Sequence, residues 1–176
     1  MKIFGFAGWS GSGKTTLIEA LIPLLAQQAG QVSLVKHAHH AFDVDQPGKD
    51  SWRHRQAGCT EVLVSSGVRW ALMHELRGEA ELTLPQALAA LSPCDLVLIE
   101  GYKAFPMPKL EVWRPLVGKP PLYPGDPCIT GIASDDVVAA TAVSTLPVFP
   151  LHDVAAIATF VRERALDWPV RLTSTP

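Results

Sequence analysis

The sequence lacks the features that mark several specialised classes of protein. Its three cysteines, at positions 59, 94 and 128, are widely separated and form no C-x-x-C pair, which argues against a disulfide framework or a zinc knuckle. A formal net charge of −2 provides no basic surplus for nucleic acid. No apolar run approaches the ~20 residues of a membrane-spanning helix. We therefore expect a protein that binds neither nucleic acid nor a membrane.

The start of the chain also lacks the pattern of a secretory signal. The first apolar run leads directly into a glycine-rich loop and does not form a cleavable segment behind a basic region. We therefore expect a cytoplasmic location. The 176 residues, 48% of them hydrophobic, suffice for one core, so we predict a single domain over residues 1–176.

The glycine-rich loop near the start of the chain is the most informative segment. Residues 8–15 read Gly-Trp-Ser-Gly-Ser-Gly-Lys-Thr, which fills every fixed position of the Walker A phosphate-binding pattern. Such a loop turns backbone N–H groups towards phosphate, while its lysine adds charge and its hydroxyl ligates Mg²⁺. We predict Lys14 as a catalytic residue, Thr15 as a metal ligand, and a nucleotide site formed by Gly8, Trp9, Ser10, Gly11, Ser12, Gly13, Lys14, Thr15 and Thr16.

Alternating strands and helices surround this loop. Apolar patterning predicts strands at residues 2–7, 32–36, 60–65, 69–76, 95–100, 109–114 and 128–133. Helices are predicted at residues 16–28, after Thr83, and from Asp153 to Leu166, with Gly30 ending the first. This alternation indicates an α/β protein of the P-loop NTPase class, with a mostly parallel sheet flanked by helices.

One region departs from the alternation. Seven of the fifteen prolines lie within residues 106–127, around the short predicted strand at 109–114. Because proline cannot donate a hydrogen bond to a sheet ladder, this region is predicted to be an edge ribbon or an extended arm inserted in the nucleotide-binding domain.

A carboxylate follows the most continuous apolar run, at residues 95–100. Glu100 stands at the end of that strand and is followed by Gly101, Tyr102 and Lys103. P-loop proteins place a carboxylate at this position to orient Mg²⁺ or its water ligands. We therefore predict Glu100 as a catalytic and metal-binding residue, and Lys103 as a phosphate contact. Asp95, at the opposite end of the strand, is predicted to be structural.

A strongly polar segment follows the second strand. Residues 37–50 contain three histidines and three aspartates, and their position after a parallel strand predicts a switch-like loop in the same crevice as the phosphate loop. We expect Asp43 to act in catalysis and Asp43 or Asp45 to hold the Mg²⁺ hydration shell. The residues assigned to this loop or a second anionic ligand are His37, His39, His40, Asp45, Lys49, Asp50, Arg53, Arg55 and Lys103.

Two other readings of the polar segment stay open. Imidazole suits zinc and nickel, so His37, His39 and His40 could instead form a transition-metal site. The segment could also be an exposed polar loop whose charges pair locally.

Taken together, these motifs resemble the MobB family of molybdopterin-guanine dinucleotide biosynthesis adapter proteins. The resemblance rests on residues 7–11, 37–51, 57–58, 69–73 and 100–103, and it is weakest in the proline-rich region. It implies a homodimeric GTP-binding protein with weak GTPase activity, whose cofactors are Mg²⁺ and GTP, with ATP as the alternative nucleotide. Its implied partners are molybdopterin or the molybdenum cofactor and the nucleotidyltransferase MobA, which attaches GMP to molybdopterin.

The resemblance also implies two placements. Residues 37–55 would lie near the nucleotide or the molybdopterin phosphate, and the arm around residues 109–114 would build the dimer. From the residues alone, two other functions compete with the adapter: a small-molecule kinase with Asp43 as base, and a metal-insertion GTPase that uses the histidines. We favour the adapter, because the sequence offers no identifiable arginine finger or water-positioning glutamine for fast hydrolysis.

Overall fold

The computed structural model describes residues 1–38 and 41–169. Its strands are β1 (Lys2–Ala7), β2 (Val32–Lys36), β3 (Glu61–Ser65), β4 (Trp70–His74), β5 (Leu96–Glu100), β6 (Lys109–Val112), β7 (Ile129–Ser134), β8 (Val148–Pro150) and β9 (Leu166–Asp167). Its helices are α1 (Lys14–Ala29), α2 (Asp50–Gln56), α3 (Leu84–Ala89), α4 (Val137–Val143) and α5 (Val154–Arg164), with 3-10 turns at Pro115–Val117 and Tyr123–Gly125. No helix in the described part of the chain is long and apolar enough to cross a membrane.

The described residues form two compact units. The first unit comprises residues 1–37 and the chain from residue 84 onward, and the second comprises residues 38–83. The first unit contains a sheet with the strand order β2-β5-β1-β6-β7-β8, in which all neighbours are parallel, and β9 pairs antiparallel with the start of β1. The predicted α/β class and mostly parallel sheet are confirmed.

The two faces of the sheet are buried by different helices. Phe4 and Phe6 of β1 pack on one face with residues of α1 and α5, whereas Ile3, one position away, packs on the other face with residues of α3. Residues of β5 alternate in the same way between the two clusters. A strand that is covered on both faces is apolar along its whole length, which explains the continuous apolar run before Glu100.

The proline-rich region is not the edge ribbon or arm that its composition predicts. Strand β6 lies between β1 and β7, and all four of its residues are buried. The prolines flank β6 and none falls within it, so its N–H groups remain available to both neighbouring strands. The segment expected to form a dimer arm is therefore, from residue 109 to 112, an interior strand.

The second unit contains α2 and a two-stranded antiparallel sheet. Strands β3 and β4 lie within the strands predicted at residues 60–65 and 69–76, and they pair as a hairpin from Glu61 with His74 to Ser65 with Trp70. Residues 50–56 of the predicted polar loop are helical instead. This helix was missed because its seven residues carry no apolar stripe, and apolar periodicity is the main signal for a helix.

Candidate functional site

The phosphate loop, Gly8 to Thr15, joins β1 to α1 as predicted. Gly8 has a φ of 141°, and a Cβ atom there would lie 2.5 Å from the carbonyl oxygen of Val112 on the neighbouring strand. Gly13 precedes α1 with a φ of 96°, and no side chain caps the helix at this residue. The first N–H groups of a helix have no partner within the helix and attract anions. Local geometry thus explains why glycine occupies these positions.

Two side chains of the loop, those of Lys14 and Ser12, are placed where they can bind a ligand. Lys14 Nζ donates hydrogen bonds to the carbonyl oxygens of Gly8 at 3.0 Å and Trp9 at 2.9 Å, so the ammonium lies over the loop. Ser12 is 1% exposed, and its hydroxyl has no hydrogen-bond partner among the described residues. A buried hydroxyl without a partner is costly. The loop therefore suits a ligand with several acceptor oxygens.

Three further charged residues influence the ammonium of Lys14. Burial lowers the pKa of the Lys14 ammonium, Glu100 opposes that shift, and the like charges of Lys103 and Lys36 add to it. Lys36 Nζ lies 3.4 Å from Oε2 of Glu100. Lys14, Lys36 and Lys103 thus bring three positive charges to the region of the phosphate loop, and such an excess of positive charge favours a bound anion.

Glu100 occupies the predicted position at the carboxyl end of β5. It pairs in register with Phe6 of β1, so its carboxylate lies on the same edge of the sheet as the phosphate loop. Glu100 is 9% exposed and Thr15 is exposed on the first turn of α1. Both side chains present oxygen atoms, the ligands that Mg²⁺ prefers. These residues fit a magnesium ion bound together with phosphate.

Asp95 and Gly101 have structural roles near the two ends of β5. An oxygen of the Asp95 carboxylate accepts a hydrogen bond from the backbone N–H of Gln31 at 2.8 Å, at the opposite edge of the sheet from the phosphate loop. Gly101 has a φ of 101°, and a Cβ atom there would lie 2.6 Å from Cβ of His37. The chain after Glu100 can therefore turn closely past β2 only with glycine at this position.

Lys103 lies beside the phosphate loop, where the structure shows an aromatic contact; its contact with phosphate stays a prediction. Its Nζ is 5.4 Å from the centroid of the Trp9 ring. A second ammonium, that of Lys119, lies 6.0 Å from the same centroid. The indole Nε1 of Trp9 donates a hydrogen bond to the carbonyl oxygen of Pro120 at 2.8 Å. Sequence reasoning missed Lys119, because the proline-rich region offered no motif.

The polar residues of the second unit form a network centred on Arg55. This guanidinium contacts Asp43 at 2.8 Å, Asp45 at 3.2 Å and Glu75 at 2.5 Å. The hydrogen bond from Arg55 is the main cause of a lowered Asp43 pKa. Burial raises the Asp45 pKa, but hydrogen bonds from Ser51, the backbone of Gln46 and Arg55 outweigh it and the pKa is lowered. The structure therefore brings Asp43, Asp45 and Arg55 together through local pairing.

The other predicted members of this group are placed separately. Lys49, Asp50 and Arg53 are exposed at the start of α2 and along it. The ring of His37 lies 4.9 Å from that of Tyr102 in the first unit. His39 and His40 lie outside the described residues. Within residues 1–38 and 41–169, no group of three or more His, Cys, Asp or Glu side chains could hold a metal ion.

Comparisons with known proteins assign the family. The family model described as "Molybdopterin guanine dinucleotide synthesis protein B" (MobB) matches residues 3–135. The chain is 42% identical over 167 residues, 93% of either chain, to the molybdopterin-guanine dinucleotide biosynthesis adapter protein of Escherichia coli (strain K12). It is 43% identical over 120 residues to the protein of the same description from Haemophilus influenzae, covering 68% of this chain and 67% of that one.

Solved structures agree with this assignment. A crystal structure of molybdopterin-guanine biosynthesis protein B matches with a TM-score of 0.69 and 25% identity over 92% of this chain and 98% of that one. The crystal structure of Bacillus subtilis MobB has the same fold, with a TM-score of 0.73 over 96% of this chain and all of that one, at 24% identity. The chain therefore belongs to the MobB family, as the resemblance of its motifs predicted.

Proposed function

We propose that this protein is a GTP-binding adapter in molybdopterin-guanine dinucleotide biosynthesis. It binds GTP with Mg²⁺ and assists the nucleotidyltransferase MobA in attaching GMP to molybdopterin. The observation that carries the proposal is the phosphate loop with Lys14 above it and Glu100 at the end of the adjacent strand. Membership of the MobB family supports the pathway.

The residues of the site have distinct roles in binding. The N–H groups at the start of α1 donate to the phosphate oxygens, and Lys14 exchanges its two loop carbonyl partners for phosphate. The Thr15 hydroxyl and the Glu100 carboxylate hold the Mg²⁺ ion directly or through water. The ion supplies charge that offsets the charge of the phosphates.

Slow hydrolysis is consistent with the surroundings of Glu100. Its carboxylate forms an ion pair with Lys36, and this pairing occupies an oxygen that could otherwise orient an attacking water molecule. Such a site keeps the triphosphate bound for long periods. Holding the nucleotide suits an adapter that works with a second enzyme.

Dimerisation is part of the proposal, with the β3–β4 hairpin of the second unit as the interface. Leu63, Trp70 and Leu72 are 61%, 64% and 49% exposed, and the strand register places them on one face of the hairpin. An isolated two-stranded hairpin is marginally stable in water. Pairing with the same face of a second copy would bury these side chains and stabilise the hairpin.

Calorimetric titration with GTP, ATP and their diphosphates, with and without Mg²⁺, tests the nucleotide site. We expect the wild-type protein to bind GTP in a Mg²⁺-dependent manner and Lys14→Ala to lose this binding while keeping its circular dichroism spectrum. The control is Lys2→Ala, which removes a lysine at the far end of β1. Unchanged GTP affinity in Lys14→Ala would refute the proposed site.

A second experiment separates the adapter from the enzyme alternatives. Purified MobA from the same organism is mixed with the protein and the complex is measured by analytical ultracentrifugation, while GDP release is followed with and without molybdopterin. An adapter gives a complex and slow turnover. Rapid turnover that produces a phosphorylated acceptor would identify a kinase, and stoichiometric zinc or nickel binding would identify a metal-insertion protein.

A further inference from the structure

The segment formed by residues 115–125 lies against the phosphate loop and carries a lysine to it. Its carbonyl group at Pro120 accepts the hydrogen bond from Trp9 Nε1 at 2.8 Å. Lys119, the preceding residue, places its ammonium 6.0 Å from the centroid of the Trp9 ring. Trp9 belongs to the phosphate loop, so a part of the chain more than a hundred residues away reaches the proposed nucleotide site.

A buried carboxylate fixes this segment. Glu111 of β6 is 0% exposed, and its two oxygens accept hydrogen bonds from the backbone N–H groups of Leu122 at 2.6 Å and Tyr123 at 2.9 Å. Burying a carboxylate is costly unless its oxygens are hydrogen-bonded, and burial is the main cause of a raised Glu111 pKa. No part of the proposed nucleotide chemistry needs Glu111. Its contacts indicate that it positions the 115–125 segment.

A further hydrogen bond fixes the backbone of Lys119 itself. The indole Nε1 of Trp113, which follows β6, donates to the Lys119 carbonyl oxygen at 2.9 Å. Residues 119–123 are therefore tied to β6 through Trp113 and Glu111 and to the phosphate loop through Trp9. A lysine on a backbone held in this way loses little further freedom when its ammonium binds an anion.

The charges near Trp9 lack a local counter-ion. Lys103 and Lys119 both lie within 6.0 Å of the Trp9 centroid, and neither forms an ion pair with a carboxylate in the part of the chain that the structure describes. The charge of Lys103 also acts on Lys14. Ammonium groups gathered at one place repel one another, and a polyanion bound there would offset the repulsion.

We propose that Lys119 is a further ligand of the bound polyphosphate and that Glu111 is the positioning residue that holds it beside the phosphate loop. The inference rests on the nucleotide binding proposed above. It adds to the site a cation that comes from outside the Walker A motif. The ligand chemistry is that of a nucleoside di- or triphosphate, whose charge increases with each phosphate group.

The first test compares Lys119→Ala and Lys119→Gln with the Lys2→Ala control. GTP, GDP and GMP are titrated into each protein at low and at high ionic strength. We expect both Lys119 variants to bind GTP about five- to tenfold more weakly at low salt, with a smaller loss at high salt, because the contact is Coulombic and partly exposed. The loss of affinity should be largest for GTP and smallest for GMP.

Three outcomes of this test are decisive. The role of Lys119 is refuted, while the nucleotide site stands, if the Lys119 variants bind GTP as tightly as the wild type does. It is also refuted if their affinities for GMP and GTP fall by the same factor. If the wild-type protein binds no nucleotide, both this inference and the proposed function fail. A loss confined to the Lys119 variants and graded with phosphate number supports the inference.

The second test examines Glu111 with a double-mutant cycle. Glu111→Gln keeps one acceptor oxygen for the two N–H groups and should weaken GTP binding less than Glu111→Ala. Removing Lys119 from a Glu111→Ala protein should cost little more, because the ammonium has already lost its position. If Glu111→Ala does not fold, the cycle is repeated with Trp9→Phe in its place. This variant removes the indole donor and leaves the buried carboxylate intact. The positioning role would be refuted if the loss of GTP affinity caused by removing Lys119 added in full to the loss caused by Glu111→Gln and also to the loss caused by Trp9→Phe.

Discussion

The guanidinium of Arg55 donates hydrogen bonds to both carboxylate oxygens of Asp43, each at 2.8 Å. The same guanidinium also contacts Asp45 and Glu75, so a single buried cation joins the residues before α2, α2 itself and the chain after β4. Carboxylates that the sequence suggested for Mg²⁺ are thus engaged by a structural arginine. The network organises the second unit.

Replacing Arg55 should therefore destabilise the second unit. Arg55→Lys keeps the charge but cannot reproduce the planar fork that contacts three carboxylates, and Arg55→Met removes the charge and leaves those carboxylates to repel one another. We expect the thermal midpoint to fall by several degrees in Arg55→Lys and further in Arg55→Met. Differential scanning calorimetry measures the effect, and Arg53→Met, two residues away on the same helix and exposed, is the control. Equal midpoints for Arg55→Met and Arg53→Met would contradict the prediction.

The same network should make the second unit sensitive to acid. The pKa values of Asp43 and Asp45 are lowered from an ordinary value of 3.8, so the folded state favours their charged forms. Their contribution to stability is present above pH 3.8 and is lost as the pH falls through the lower, folded-state pKa values. Hydrogen exchange of the β3–β4 amides over this range measures the loss. Asp43→Asn should reduce the pH dependence of this exchange. An unchanged pH profile in the variant would contradict the contribution of Asp43 to the stability of the second unit.

The sequence predicted most of the first unit because its signals are local. Gly8, Lys14 and Thr15 lie within one motif, and Glu100 ends a run whose apolar character follows from burial on both faces. Strand β6 was misplaced because proline content describes what flanks a strand and does not reveal where the strand lies in a sheet. Lys119 and Glu111 were missed because their roles depend on contacts between residues far apart in sequence, such as that of Trp9 with Pro120. The pairing of Arg55 with Asp43 and Asp45 agrees with the local charge pairing that the sequence left open, whereas its contact with Glu75 carried no signal in the sequence.

Glu100→Gln should impair hydrolysis more than nucleotide binding. The amide can still contact water, but it lacks the charge that would orient the proposed Mg²⁺ ion. We expect kcat for GTP hydrolysis to fall by at least about tenfold while GTP affinity changes by less than about threefold. Lys36→Met is the matched control, because it removes the ion pair and leaves the carboxylate. Equal losses of affinity and kcat would instead assign Glu100 a structural role.

Trp70→Lys should shift the protein from dimer to monomer if the β3–β4 hairpin is the dimer interface. The indole is 64% exposed in the single chain, and a lysine in a paired apolar face would bring a charge into contact with its symmetry-related copy. Sedimentation velocity over a range of concentrations measures the change. Val138→Lys, at an exposed apolar position on α4 in the first unit, should keep the wild-type state. A dimeric Trp70→Lys protein would place the interface elsewhere.

Gly8→Ala and Gly11→Ala form a matched pair that tests how tightly the phosphate loop is fixed. Both glycines have positive φ, 141° and 78°, so an alanine at either position is strained by about 1–3 kcal/mol. They differ in space: a Cβ at Gly8 would lie 2.5 Å from the Val112 carbonyl oxygen, whereas nothing lies within 4 Å of a Cβ at Gly11. The clash at Gly8 forces the loop away from β6, and the open site at Gly11 does not. Urea unfolding should therefore show the larger loss of stability, about 2 kcal/mol or more, for Gly8→Ala. A loss no greater than that of Gly11→Ala would mean that β6 gives way to the added methyl group without cost.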